Sequence, residues 1–145
     1  MEKVSIRNAK NDDAARVSDL SVQLEHPMSA SEAQERISVI LKDKNQALFV
    51  AEKDGKVMGF TSIYVNYELL SGIQARLGGL VVDSKARGMG LGSKLMKKAE
   101  EWAKAQGSKS VKLNSNVKRT EAHRFYEKNG YIKTKEQAAF KKIIR

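Results

Sequence analysis

The chain predicts a single α/β or α+β domain built round a mixed sheet, spanning residues 1–145, and three observations predict it. Apolar β-rich runs alternate with stretches of helical periodicity from one end of the 145 residues to the other. A glycine-rich turn, Arg87-Gly88-Met89-Gly90-Leu91-Gly92, joins one such run to a helix. No internal repeat, linker or low-complexity stretch interrupts the order β-α-α-β-β-β-α-β-α-β-β. At 41% hydrophobic and 30% charged residues the composition is that of a globular chain, long enough to bury a core without staples.

Val4-Ser5-Ile6-Arg7 reads as a first strand. Asn11, Asp12 or Asp13 can cap the following helix, which carries Ala15, Val17, Leu20 and Leu24 and is broken at the single proline, Pro27. Ser29 and Glu32 have capping-box spacing and open a second helix with Ala33, Ile37, Ile40 and Leu41 on one face. Ala47–Ala51 and Val57–Val65 flank Asp54-Gly55, a hairpin signal. A fourth strand is expected from about Ile73 to Val82, then a helix over 91–106 stopped by Gly107. Ser110–Leu113 gives a fifth strand and Thr120–Asn129 a short helix ended by Gly130; Tyr131-Ile132 and Phe140–Ile144 are expected to close the sheet.

The glycine-rich turn carries the chemistry. A strand leading through glycines into a helix points backbone N–H groups at an anion, and the helix start adds roughly half a positive charge. The dinucleotide fingerprint fits poorly, because the spacing is Gly88-x-Gly90-x-Gly92 and the turn follows the fourth strand. A P-loop is excluded, since no Gly-Lys-Ser/Thr follows. The absence of cysteine excludes disulfides and thiolate nucleophiles, and two distant histidines, His26 and His123, argue against a metal site. Charge is uneven: residues 1–70 hold 9 Lys/Arg against 11 Asp/Glu, and residues 71–145 hold 18 against 6, for a net +10. The turn lies in the basic half, which suits a polyanionic ligand or, alternatively, a nucleic-acid surface. The N-terminus lacks the apolar core of a signal peptide and no run is long enough to span a bilayer, so a cytoplasmic protein without membrane contact is expected.

Arg87-x-x-Gly90-x-Gly92, together with the later run Ala122-His123-Arg124-Phe125-Tyr126-Glu127-Lys128-Asn129-Gly130-Tyr131, resembles the two signatures of the GNAT superfamily of N-acetyltransferases. The order of elements and the Asp54-Gly55 hairpin agree, so the resemblance covers nearly the whole chain. It implies a mostly antiparallel sheet of six to seven strands flanked by about four helices. It implies acetyl-CoA as acetyl donor, with no metal, and direct attack by a primary amine of a small molecule or peptide. Leu80, Val81 and Val82 would pair with the pantetheine arm. Residues Gly88, Met89, Gly90, Leu91, Gly92 and Ser93 would hold the pyrophosphate, reinforced by Arg87. Asn116 and Phe125 would touch the cofactor, and Lys128, Lys118 and Arg119 are candidates for its 3′-phosphate. Tyr126 would protonate the departing thiolate, with a strand N–H near Leu80 or Val81 receiving the oxyanion. Homodimers are common in the family, and no nucleic acid is expected.

The base is open at this stage. Arg76-Leu77-Gly78-Gly79-Leu80 offers no carboxylate where many relatives carry one, which leaves Glu68, Glu25, Glu32, Asp83, His26 or a water chain. The acceptor is expected between Glu25-His26-Pro27-Met28-Ser29 and Asn66-Tyr67-Glu68-Leu69-Leu70. The alternatives are a nucleic-acid-binding module using the basic half and a non-catalytic acetyl-CoA-binding relative. His123 is expected to be structural.

Overall fold

A computed structural model of the chain describes residues 3–145, so Met1 and Glu2 of the N-terminal segment lie outside it. The chain forms two compact units, one ending at Leu113 and the other running Asn114–Arg145.

The first unit is a five-stranded sheet in the order β1-β2-β3-β4-β5, with β1 Val4–Asn8, β2 Gln46–Lys53, β3 Lys56–Glu68, β4 Gly72–Val82 and β5 Val111–Lys112. All neighbours are antiparallel except β4 and β5. Helices α1 (Ala14–Gln23) and α2 (Ala30–Lys42) cover one face and α3 (Leu91–Ala105) the other. Side chains of a strand alternate between faces, so the middle of β2 is apolar on both: Leu48 and Val50 pack toward α1 and α2, Phe49 and Ala51 toward α3. Leu20, Ile37, Leu95 and Met96 are fully enclosed.

Each local signal has a physical outcome. Ser29 Oγ accepts the Glu32 N–H at 3.1 Å while Glu32 returns a carboxylate to the Ser29 N–H at 2.9 Å, completing the expected capping box. Asp54 (φ +51°) and Gly55 (φ +82°) form the β2–β3 turn, both left-handed as a tight hairpin requires. Asp54 also receives the Lys3 N–H on its side chain and gives its own N–H to the Lys3 carbonyl, which ties the turn to the start of β1.

Some expectations are corrected. Asp13 occupies the N-cap position of α1 but caps nothing there. Its carboxylate turns back to accept the Lys10 N–H at 2.7 Å and both Nη atoms of Arg7 at 2.8 and 2.9 Å, and Arg7 also reaches Glu52. The buried stripe of α1 is Ala14, Val17, Leu20 and Ser21, leaving Ala15 exposed, and Leu41 of α2 is likewise outside. The fifth strand is only two residues long.

The second unit holds α4 (Thr120–Lys128) and no strand among its residues, so the expected pairing of Tyr131-Ile132 and Phe140–Ile144, and with it a count of six or seven strands, gives way to five. Gly130 (φ +90°) ends α4, with the Tyr131 N–H on the Tyr126 carbonyl, and the chain beyond runs without a ladder. Apolar β-prone residues make a strand only where a neighbour supplies hydrogen bonds, and Ile132, Phe140 and Ile144 stay more than four-fifths exposed.

The Asp13–Arg7 fork makes a testable contribution. Asp13→Asn is expected to lower unfolding stability by about 2 kcal/mol in urea titrations near neutral pH. The Arg7 guanidinium, aided by the Lys10 N–H, holds the Asp13 carboxyl below the ordinary carboxylate range. That stability is therefore complete above about pH 4 and is lost as pH falls through the depressed value, so wild type and variant should converge in acid. A difference that persists unchanged at pH 2 contradicts the assignment.

Candidate active site

The site begins with an irregularity in the β3–β4 ladder. Ser62 pairs with Gly79 and Ile63 with Leu77, which leaves Gly78 as an extra residue on β4. The bulge flips the alternation: Ile73, Ala75 and Leu77 pack toward α3, whereas beyond it Val81 packs toward α1 and Leu80 and Val82 take the α3 side. The Asp83 N–H donates to the Met58 carbonyl at 2.7 Å, so by the alternation of an antiparallel ladder Val81 bonds toward Phe60. Leu80 and Val82 then direct their N–H and C=O groups away from β3. On that side β5 pairs only with Ala75 and Arg76, and among the described residues no strand continues the ladder. The three residues expected to act together thus divide, with Leu80 and Val82 on an open edge and Val81 turned inward.

The open edge runs into the glycine turn. Asp83 caps a short 3₁₀ turn, Ser84–Ala86, by accepting the Lys85 N–H at 3.0 Å, and is clamped by Arg16 Nη2 at 3.0 Å. Arg87 is exposed, with Nε 3.4 Å from the Val82 carbonyl. Gly88 (φ +83°) and Gly90 (φ +76°) are both left-handed, and that conformation, rather than crowding, is why glycine stands there: a Cβ at either would meet nothing. Gly90 is the N-cap of α3 and offers no side chain, and the first helical bond is Lys94 N–H to Gly90 carbonyl at 3.1 Å. The N–H groups of Leu91, Gly92 and Ser93 precede that bond and have no intrahelical acceptor. Met89 packs inward against the α3 core. The arrangement is a set of uncapped donors at the positive end of a 15-residue helix.

On the other face the bulge opens a cavity of about 250 Å³. Gly78 and Gly79 form one side, where a Cβ on Gly78 would stand 2.7 Å from Ser62 Oγ. Leu24, Met28 and Phe60 supply apolar wall, and Ser21, Ser62 and His26 the polar groups. The α1–α2 loop is rigidly held above it. Glu25 is left-handed (φ +64°), its N–H on the Val22 carbonyl and the His26 N–H on the Ser21 carbonyl, a helix stop usually given to glycine. Ser18 Oγ donates to the Met28 carbonyl at 2.7 Å, and Ser21 Oγ accepts the Met28 N–H at 3.1 Å. Sequence reasoning anticipated His26 and Met28 here but missed Ser21, Ser62 and the glycine pair; two adjacent glycines inside a strand pattern are the signal of a bulge.

Three of the carboxylates considered as bases, Asp83, Glu68 and Glu32, are committed elsewhere, and Glu25 is not among the residues that line the cavity. The Lys85 N–H, with Arg16 and Gln23, holds Asp83 below the ordinary carboxylate range. The Ser71 hydroxyl, with Arg76, does the same for Glu68, and Ser29 for Glu32. Tyr67, Leu69 and Leu70 at the β3–β4 tip are almost fully exposed and do not line the cavity. Among the described residues no three His, Asp or Glu side chains gather as metal ligands, and no helix is long and apolar enough to cross a membrane.

In the second unit, Asn116 Oδ1 accepts the Lys118 N–H at 2.9 Å and its carbonyl accepts His123 Nε2 at 2.9 Å, so His123 braces the entry to α4. Phe125 and Tyr126 are half-buried and meet edge to face at 5.7 Å between centroids; Tyr131 lies 6.3 Å from Tyr126. Burial raises the Tyr126 phenol above its ordinary value, against the opposing pull of Arg119, so it is protonated at neutral pH. Lys118, Arg119 and Lys128 are exposed.

A mixed sheet with a half-open fourth strand feeds an uncapped helix start. The Acetyltransferase (GNAT) family model matches residues 12–131, and the chain belongs to that family of acyltransferase enzymes. It is 31% identical over 137 residues to the aminoalkylphosphonate N-acetyltransferase of Salmonella typhimurium, covering 90% of this chain and 86% of that protein. Among solved structures it is similar to a transcriptional regulator from Bacillus halodurans (27% identity, TM-score 0.86, 96% of this chain and 99% of that one). It is also similar to glucosamine-6-phosphate N-acetyltransferase from Arabidopsis thaliana (25% identity, TM-score 0.83, 96% and 98%).

The left-handed Glu25 gives a direct test of the loop. Glu25→Gly should relieve roughly 1 kcal/mol of backbone strain and raise the melting temperature by about 2–4 °C. An unchanged or lower melting temperature would mean that the loop gains more from the Glu25 side chain than it loses to strain.

Proposed function

We propose that this chain transfers the acetyl group of acetyl-CoA to the primary amine of a small molecule or peptide by direct attack. The observation that carries this reading is the open edge at Leu80 and Val82 leading into the uncapped N–H groups of α3. A ligand with amide groups, followed by a pyrophosphate, matches that succession of donors and acceptors. The outward N–H and C=O of Leu80 and Val82 bind the pantetheine arm as a strand would. The backbone from Gly88 to Ser93, including Met89 and Gly90, cradles the pyrophosphate with Arg87 beside it. Asn116 and Phe125 contact the donor, and Lys128, Lys118 and Arg119 serve its 3′-phosphate. The relatives named for aminoalkylphosphonate and glucosamine-6-phosphate support a small amine as acceptor.

The thioester supplies an activated acetyl group, and the chain supplies placement and proton transfer. The Leu80 N–H is the donor to the oxyanion that develops on the carbonyl. Tyr126, kept protonated by burial, gives its proton to the departing thiolate and regains one from the acylated nitrogen. We take the chain as one catalytic domain, cytoplasmic, working without a metal, alone or as a homodimer.

Acetyl-CoA at 100 times its Kd should stabilise the protein by about 2.7 kcal/mol, visible as a shift in thermal unfolding. Thiol release with a panel of amines should then identify acceptors, and the absence of any shift overturns the proposal. Tyr126→Phe should lower kcat by about 10²-fold while leaving the acetyl-CoA shift intact; an unchanged kcat removes Tyr126 from the acid role.

A further inference from the structure

We propose that His26 is the proton acceptor for the attacking amine, a role resting on the acetyl-transfer reading above. Four observations converge on it. The cavity of about 250 Å³ opens on the bulge at Gly78 and Gly79, the residues immediately before Leu80. An amine held there lies next to the strand segment whose N–H receives the oxyanion. Among the residues that line this cavity His26 alone is titratable; the rest are apolar, glycine or serine. No carboxylate lines the cavity: Glu25, the neighbour in sequence, is absent from its wall, and Asp83, Glu68 and Glu32 are each tied to donors that favour their charged form and weaken them as bases.

The loop is built to hold the imidazole in place. Its backbone is fixed by the His26 N–H on Ser21 and by the two serine bonds to Met28, so the ring hangs from a pinned segment. The side chain itself makes none of these bonds and is free to meet a substrate. His26 is exposed, which gives a proton a route to water. No charged residue of α1, β3 or β4 lines the cavity. The charged groups around the loop are Glu25, next in sequence, and the Glu32–Arg36 pair of α2, whose Arg36 Nη1 lies 3.8 Å from Met28 Sδ. Imidazole is the side chain that ordinarily titrates between about pH 5 and 8, the range in which it can take a proton from an ammonium and return it to solvent.

The proton balance is complete. The neutral imidazole removes one proton from the incoming ammonium and releases it to water. The amine lone pair forms the C–N bond, the C–S bond breaks, and the second nitrogen proton replaces the one Tyr126 has given to sulfur. One proton is released per turnover.

The test is the pH dependence of kcat/KM for His26→Gln, which keeps the size and a hydrogen-bonding group but not the base, with wild type measured alongside. The expected result is a loss of about 10²-fold at neutral pH, disappearance of the imidazole-range acidic limb, and an undiminished thermal shift with acetyl-CoA. In His26→Ala, added imidazole should restore rate in proportion to its neutral form. A His26→Gln profile parallel to wild type, or a loss confined to KM with no imidazole rescue, overturns the assignment while leaving acetyl transfer standing. A wild-type protein that releases no thiol with any amine overturns both.

Discussion

The active-site half of this molecule depends on one extra residue in the ladder between β3 and β4. Without the bulge at Gly78, β4 would keep a single alternation from Gly72 to Val82, and the residues now facing α3 would continue on that side to its end. With it, Val81 turns into the α1–α2 core and Leu80 and Val82 bring their peptide groups to the outer edge. The same irregularity places Gly78 and Gly79 against Ser62, at one wall of the cavity beneath the α1–α2 loop. The open edge and the cavity are thus two faces of one distortion. A side chain at Gly78 would have to displace Ser62 Oγ, so the small residue and the open space are maintained together.

The ionic groups serve a complementary purpose. Arg16 of α1 bonds the Val57 carbonyl and Asp83, while Gln23 bonds both Asp83 and the Ser84 N–H. One helix therefore sets where β4 stops and where the glycine turn starts. Arg7, Asp13 and Glu52 do the same for the entry to α1. These carboxylates stabilise connections, and the cavity is lined without an acidic group.

The fold was largely legible because its signals are local. The Ser29–Glu32 box, the Asp54-Gly55 turn and the stop at Gly107 each describe a few consecutive residues, and each formed as the residue chemistry dictates. The glycine turn and the start of α3 were legible for the same reason, since they are contiguous. The acceptor cavity was not: Ser21, Phe60 and Gly79 come from three elements, and only the bulge register brings them together. Asp13 misled because its position suggested a cap while its strongest partner, Arg7, lay on the preceding strand. Phe140–Ile144 carries apolar residues at both of its ends but has no neighbouring ladder to join.

The half-open edge of β4 has another side. Unpaired peptide groups in a row are a template for any extended chain, including the edge of a second molecule, and proteins ordinarily blunt such rows. Here the exposed row is interrupted by a bulge at one end and terminated by Asp83 and the arginine-bearing turn at the other. Only a short length remains, enough for a slender ligand with two or three amides and too little for a stable intermolecular sheet. The short length that would suit a slender ligand also limits what an extended chain could hold there, so both are set by the same few peptide groups.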